Sequence, residues 1–214
     1  MKALLLLLVL AKAAHATGIC ENTERRYHAP TAYSESEHAF AVPGVQPWCE
    51  EVEDGGTLDE KRGEVAFVEL RKNDGTVIAT LTDSTDAHAS FDHVDDLSAE
   101  LARRGYKPVS AGRCTITSSF GRAPAVDGWP AQKLAIVQKA RGKQIKRVSL
   151  GAIAKERKAD AISVAHIDGA KLVVWTLVPT CGGPPPGYFG ANDGGACYPI
   201  DTPVISVLDA KRCR

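Results

Sequence analysis

The sequence predicts an α+β domain built mostly of antiparallel β-hairpins, with one or two short helices, stabilised by disulfides. Three observations carry that expectation. β-Branched runs flank glycine-containing turns three times, an amphipathic pattern between the first two of these reads as a helix, and six cysteines follow a segment with the character of an export signal.

The chain starts with Met1 and Lys2, runs apolar from Ala3 to Ala11, and then presents Ala14-His15-Ala16 as a small-x-small cleavage site. An apolar run of this length ending in small residues fits a secretory signal peptide, whereas a membrane-spanning helix needs about 20 apolar residues. Residues 1–16 are therefore expected to be a signal peptide cleaved before Thr17, leaving a secreted or periplasmic protein. Ile19 stands where a small residue would precede a lipidated Cys20, which argues against a lipid anchor. The longest later apolar stretch, Leu172 to Val178, is broken by Thr176 and stopped by Pro179, so no transmembrane segment is expected after cleavage.

Cys20, Cys49, Cys114, Cys181, Cys197 and Cys213 all lie beyond the cleavage site. An even number in an exported chain favours up to three disulfides. No two are spaced C-x-x-C, which excludes the thioredoxin-type redox motif, haem attachment and the common zinc spacing. Proximity suggests pairing Cys20 with Cys49, Cys114 with Cys213, and Cys181 with Cys197.

From Thr17 to Arg62 the reading is an irregular arm, punctuated by Pro30, Pro43 and Pro47 and tied by Cys20 and Cys49, with strand character only at Tyr33 to Val42. Residues 63–214 are expected to hold the α+β domain, with a sub-boundary near 106–131, where Pro108, Gly112, Gly121, Pro124, Gly128 and Pro130 accumulate. Its first hairpin joins Val65–Leu70 to Thr76–Leu81 across Asn73-Asp74-Gly75, because glycine accepts the positive φ of a tight turn. Two more follow: Leu134–Lys139 with Gln144–Leu150 around Ala140-Arg141-Gly142, and Ile162–Ile167 with Lys171–Val178 around Asp168-Gly169. Between them Val94, Leu97 and Leu101 fall on one helical face, Asp92 is placed to cap the start, and Gly105 terminates. A shorter helix is predicted from Ala152 to Ala159, and a last strand near Val204 to Leu208.

Charge is strongly divided along the chain. Thr17 to Glu100 carries six Lys and Arg against 19 Asp and Glu, a net of −13; Leu101 to Arg214 carries 18 against seven, a net of +11. Such halves either attract one another within the fold or present opposed faces to partners. In the basic half, Lys133, Lys139, Arg141, Lys143, Lys146, Arg147, Lys155, Arg157 and Lys158 suit an anionic surface. The run contains no interleaved aromatic residue for stacking on bases, so nucleic acid is not an expected partner.

Asp83, Asp86, His88, Asp92, His93, Asp95 and Asp96 place seven oxygen and imidazole donors within fourteen residues. A metal set of Asp86, His88, Asp92 and His93 would combine donors that suit zinc, manganese or calcium, yet the spacing matches neither H-E-x-x-H nor a calcium loop, and capping explains several of the carboxylates. No cofactor is expected. The fifteen residues between Cys181 and Cys197 include Pro184, Pro185, Pro186 and six glycines, making a stiffened loop that offers Tyr188, Phe189 and, just beyond it, Tyr198 as contact residues. His28, His38, His88, His93 and His166 are the available bases, but the chain contains no G-x-S-x-G elbow, no S-x-x-K and no phosphate loop. These features favour a non-catalytic binding or envelope-associated module contacting a protein or an anionic surface. A metal-assisted hydrolase built on the Asp/His cluster is the alternative.

Overall fold

A computed structural model describes residues 25–54, 57–86, 91–126, 130–154, 161–182 and 198–214. These form thirteen strands in three sheets and one helix, so the fold is nearly all-β and the expected α+β class is corrected. The helix α1, Leu97–Arg103, is seven residues long. The second expected helix is absent where it can be compared, because Ala152–Ala154 end a strand; residues 155–160 lie outside the described set.

The first sheet gathers β1 (Arg26–Tyr27), β2 (Ala32–Ser34), β3 (Ala39–Asp54), β4 (Thr57–Lys72), β5 (Val77–Thr82), β6 (Asp92–His93) and β7 (Lys107–Pro108). Its order is β6-β5-β4-β3-β2-β7, with β1 on β3, and only the β5–β6 pair is parallel. The stretch expected to be irregular is instead the longest hairpin of the sheet, with β3 and β4 paired from Ala39↔Lys72 to Asp54↔Thr57. Pro43 and Pro47 do not interrupt β3. β2 covers its outer edge only at Ala39–Ala41 and β1 only at Gly44–Val45, so residues lacking an N–H sit where the ladder has gaps.

The second sheet is a meander of β8 (Cys114–Arg122), β9 (Ala131–Ala140) and β10 (Lys143–Ala154), in the order β10-β9-β8. The third is β11 (Ile162–Asp168), β12 (Lys171–Gly182) and β13 (Tyr198–Asp209), with β12 central. All three hairpins read from the sequence are present as β4–β5, β9–β10 and β11–β12. In the β9–β10 turn both Arg141 (φ 50°) and Gly142 (φ 77°) are left-handed, the conformation that matches the twist of the flanking strands.

Three apolar clusters show how the layers stack. Tyr33, Phe40 and Val42 of the first sheet pack on Val173, Trp175 and Leu177 of β12. The neighbouring residues Leu172 and Val174 face the other way, onto Cys114 and Ile136 of the second sheet. On the far side of the first sheet, Ala39, Ala41, Leu70 and Leu81 receive Val94, Leu97 and Leu101, the apolar face of α1. The order is thus helix, first sheet, third sheet, second sheet. The middle layer explains the apolar run in β12: every residue from Leu172 to Val178 is buried, as a strand covered on both faces requires.

The helix cap differs from the one expected. Asp96 is the N-cap, its carboxylate accepting from the Ala99 amide at 3.0 Å, while Asp92 lies in β6 opposite Leu81. The two acidic residues compete for one role, and β5 takes Asp92 into a parallel pair. Gly105 follows the helix with φ 78°, as expected.

A disulfide joins Cys114, at the start of β8, to Cys213, across 99 positions. Gln138 donates to both sulfurs and to the Asp209 carbonyl, fastening the C-terminal turn under β9. Gly112 must be a glycine here: its φ is 58°, and a Cβ would come within 2.3 Å of the Cys213 carbonyl oxygen. Cys49 is also disulfide-bonded. The expected partner Cys20 and the expected pair Cys181–Cys197 involve residues or side chains outside the described set.

Candidate functional site

The cleft nearest the predicted Asp/His cluster has a volume of about 300 Å³ and is lined by Thr82, Ser84, Thr85, Asp86, Phe91 and His93. Two of the four expected metal ligands, Asp86 and His93, thus share one cleft. Asp86 is held by the Trp48 indole, which donates to it at 3.1 Å, and His93 Nδ1 lies 3.2 Å from the Ser84 carbonyl. Asp92 is the strand neighbour of His93, and successive residues of a strand point to opposite faces, which separates it from the cleft. His88 lies outside the described residues. Among the described residues no three His, Cys, Asp or Glu side chains converge as metal ligands. Arg25 stands over the Phe91 ring at 5.0 Å, a cation–π contact.

A second polar group joins the first sheet to the third and was not anticipated. Asp168, at the end of β11, accepts from the Tyr33 hydroxyl at 2.9 Å and from the Asn73 amide at 3.3 Å, and its Oδ2 lies 2.7 Å from His38 Nδ1. His38 occupies the left-handed region at φ 51°, in the turn between β2 and β3. Burial pushes the Asp168 carboxyl up, but the donors from Tyr33, His38 and Asn73 outweigh it and the net shift is downward. Burial raises the Tyr33 hydroxyl well above its ordinary range.

His166 stacks on Tyr33 with ring centroids 4.4 Å apart, and its Nδ1 accepts the Ser110 amide at 3.1 Å. That acceptor role places the proton of the neutral ring on Nε2, which is buried, has no hydrogen-bond partner among the described residues and lies 4.0 Å from a Glu35 carboxylate oxygen. Burial lowers the His166 pKa, against the opposing pull of Glu35 and Asp168. The group is a cross-layer joint: Tyr33 of β2 and His38 in the turn that follows it meet Asn73 of the β4–β5 turn and Asp168 at the end of β11. Only Asn73 and Asp168 were legible, as turn residues, and nothing in the spacing showed that the four meet.

The basic run from Lys133 to Arg147 maps onto the second sheet, while Lys155, Arg157 and Lys158 lie outside the described residues. The described residues from Cys114 to Ala154 carry seven Lys and Arg and no Asp or Glu. Arg122, Lys133, Arg141, Lys143, Lys146 and Arg147 are exposed and Lys139 is half-buried. One face of this sheet is covered by the third sheet through Ile136, Cys114 and Val148. The alternate residues form an outward face with Lys133, Ala135, Val137 and Lys139 on β9, Arg147 opposite Val137, and Thr115, Thr117 and Ser119 on β8. Arg147 donates to Ser119 at 3.0 Å across that face.

Of the predicted contact loop, Tyr188 and Phe189 lie outside the described residues. Tyr198 opens β13 in register with Gly182, so the connection from 183 to 197 is closed by the β12–β13 pair. No helix among the described residues is long and apolar enough to cross a membrane, which says nothing of strands. Comparison with family models, curated proteins and solved structures finds no match for the chain.

Proposed function

We propose that the chain is an exported, non-catalytic binding module that takes an anionic partner on the β8–β9–β10 sheet. The observation that supports this reading is the one-sided charge of that sheet, seven Lys and Arg with no Asp or Glu among its described residues. Exposed lysine and arginine are ordinary one at a time. A cluster of like charges sums to a positive field that attracts and orients an anion. The acidic residues of the chain are concentrated before residue 101, so the two charges occupy different parts of the molecule.

Retention on immobilised sulfated polysaccharide or on vesicles containing anionic lipid tests the proposal. Binding should be firm near 0.1 M salt, where the Debye length is about 10 Å, and vanish near 1 M, where it is about 3 Å. A protein that passes over every polyanion unretained in low salt would refute it.

A further inference from the structure

We infer that the outward face of the second sheet is a docking track for a linear acidic polysaccharide, lying along β9 and held by Lys133, Arg147 and Lys139. This rests on the reading above that the sheet engages an anion, and adds which face and which kind of partner. The register supplies the geometry. Lys133 and Lys139 stand six residues apart on the same face of β9, a separation of about 20 Å at the rise of an extended strand. Arg147 projects from β10 opposite Val137, between the two lysines along the strand direction. The three cations therefore form a row that a compact anion would touch at one point and an extended chain of charges at all three.

The residues between the cations suit such a chain. Ala135 and Val137, the outward residues of β9 between the lysines, are buried, and Arg147 crosses β9 beside them to reach Ser119 on β8, so the middle of the track presents the Arg147 side chain rather than the strand itself. Neither belongs to any of the three apolar clusters of the described residues, and Thr115, Thr117 and Arg147 on the flanking strands are exposed. Thr115, Thr117 and Ser119 line the β8 side with hydroxyls, which donate to sulfate or carboxylate oxygens and accept from sugar hydroxyls. Arg147 is already oriented by its bond to Ser119.

The same face lacks what other polyanions need. Phe120 is the one aromatic residue in β8, β9 and β10, and it alternates to the side of Ile116 and Ser118, so among the described residues the outward face holds no ring for stacking on bases. It equally lacks the apolar anchor that helps seat a protein in a bilayer interface. The other cations of these strands, Arg122, Lys143 and Lys146, share register positions with the core-facing residues Gln132, Ala140 and Gln138 and so stand at the rim of the opposite face.

Two triple variants with equal loss of charge separate the faces: Lys133→Gln/Lys139→Gln/Arg147→Gln, and Arg122→Gln/Lys143→Gln/Lys146→Gln. Titration of the full chain with a heparin oligosaccharide should show the first variant binding at least tenfold more weakly. The slope of log affinity against log salt should fall by about two, the loss expected for three contacts to a linear polyanion. The second variant should lose no more than about threefold, as generalised charge predicts at a distance. Equal losses in the two variants, or a larger loss in the second, would overturn the track while leaving the anion-binding reading intact. Binding only to anionic vesicles or to a 20-base-pair DNA duplex would overturn the polysaccharide, and no binding to any of the three would remove the earlier proposal as well. Unchanged urea midpoints in both variants confirm that folding is not what is being read.

Discussion

The third sheet and the second sheet are both three-stranded antiparallel meanders, but among the described residues one packs against another sheet on both faces and the other on one. β12 is apolar or small at every buried position from Leu172 to Val178, and its single hydroxyl there, Thr176, lies 3.1 Å from Ser163 Oγ. β9 has the same central position in its sheet, yet its outward residues include Lys133 and Lys139. The difference teaches that the composition of a central strand reports how many layers touch it more than whether it is a strand. An uninterrupted run marks the middle of a stack, and a run punctuated by lysine marks its surface.

The largest effect that would break this comparison is at the tryptophan of the middle layer. Trp175 is fully buried against Tyr33 and Phe40, so Trp175→Ala should cost about 3–5 kcal/mol in urea unfolding. Truncating Arg147 on the open face should stay within about 0.5 kcal/mol. Similar costs at the two positions would mean that the third sheet is not the middle layer. Next in size, replacing both Cys114 and Cys213 by alanine should lower stability by about 2–5 kcal/mol, since the cross-link restrains a long segment of the unfolded chain. A loss confined to the first sheet, seen by hydrogen exchange, would contradict the placement of that bond between the second sheet and the C-terminus.

The smallest predicted effect concerns the joint that holds the third sheet to the first. The folded state lowers the His166 pKa, so unfolded chains bind the proton more readily. The resulting stability is complete above the ordinary histidine range and is lost as pH falls through the lowered value. Urea midpoints should drop between about pH 7.5 and about pH 5, and His166→Gln should flatten that drop. Asp168 is also lowered, so its contribution is present above the ordinary carboxylate range and is lost only in stronger acid. An unchanged pH profile in His166→Gln would show that the ring is not held neutral by Ser110 and burial.

Much of the strand content was legible because turn chemistry is local. Gly75, Gly142 and Gly169 have positive φ at the three hairpin turns where the sequence put them. The β3–β4 hairpin was hidden by Pro43 and Pro47, since a proline looks like a break until the gaps along the neighbouring edge are known. The helix predicted from Ala152 to Ala159 begins on residues that, through Ala154, continue β10. The candidate site was legible only as composition. The basic run showed that charge would gather, but pairing register was needed to sort Lys133, Lys139 and Arg147 from Arg122, Lys143 and Lys146. Asp86 and His93 do share a cleft, whereas strand alternation removes Asp92, a consequence of β6 that helical spacing had concealed.

The Cys114–Cys213 bond also changes what a protease can do to this molecule. It makes a closed covalent ring of the second and third sheets, with the first sheet as a tail entering at Cys114. A single backbone cut anywhere between those two cysteines opens the ring without freeing a piece, so both products run together until the disulfide is reduced. In a compartment where proteins meet proteases without chaperones to rescue them, a nicked copy would still carry its basic track on the same frame.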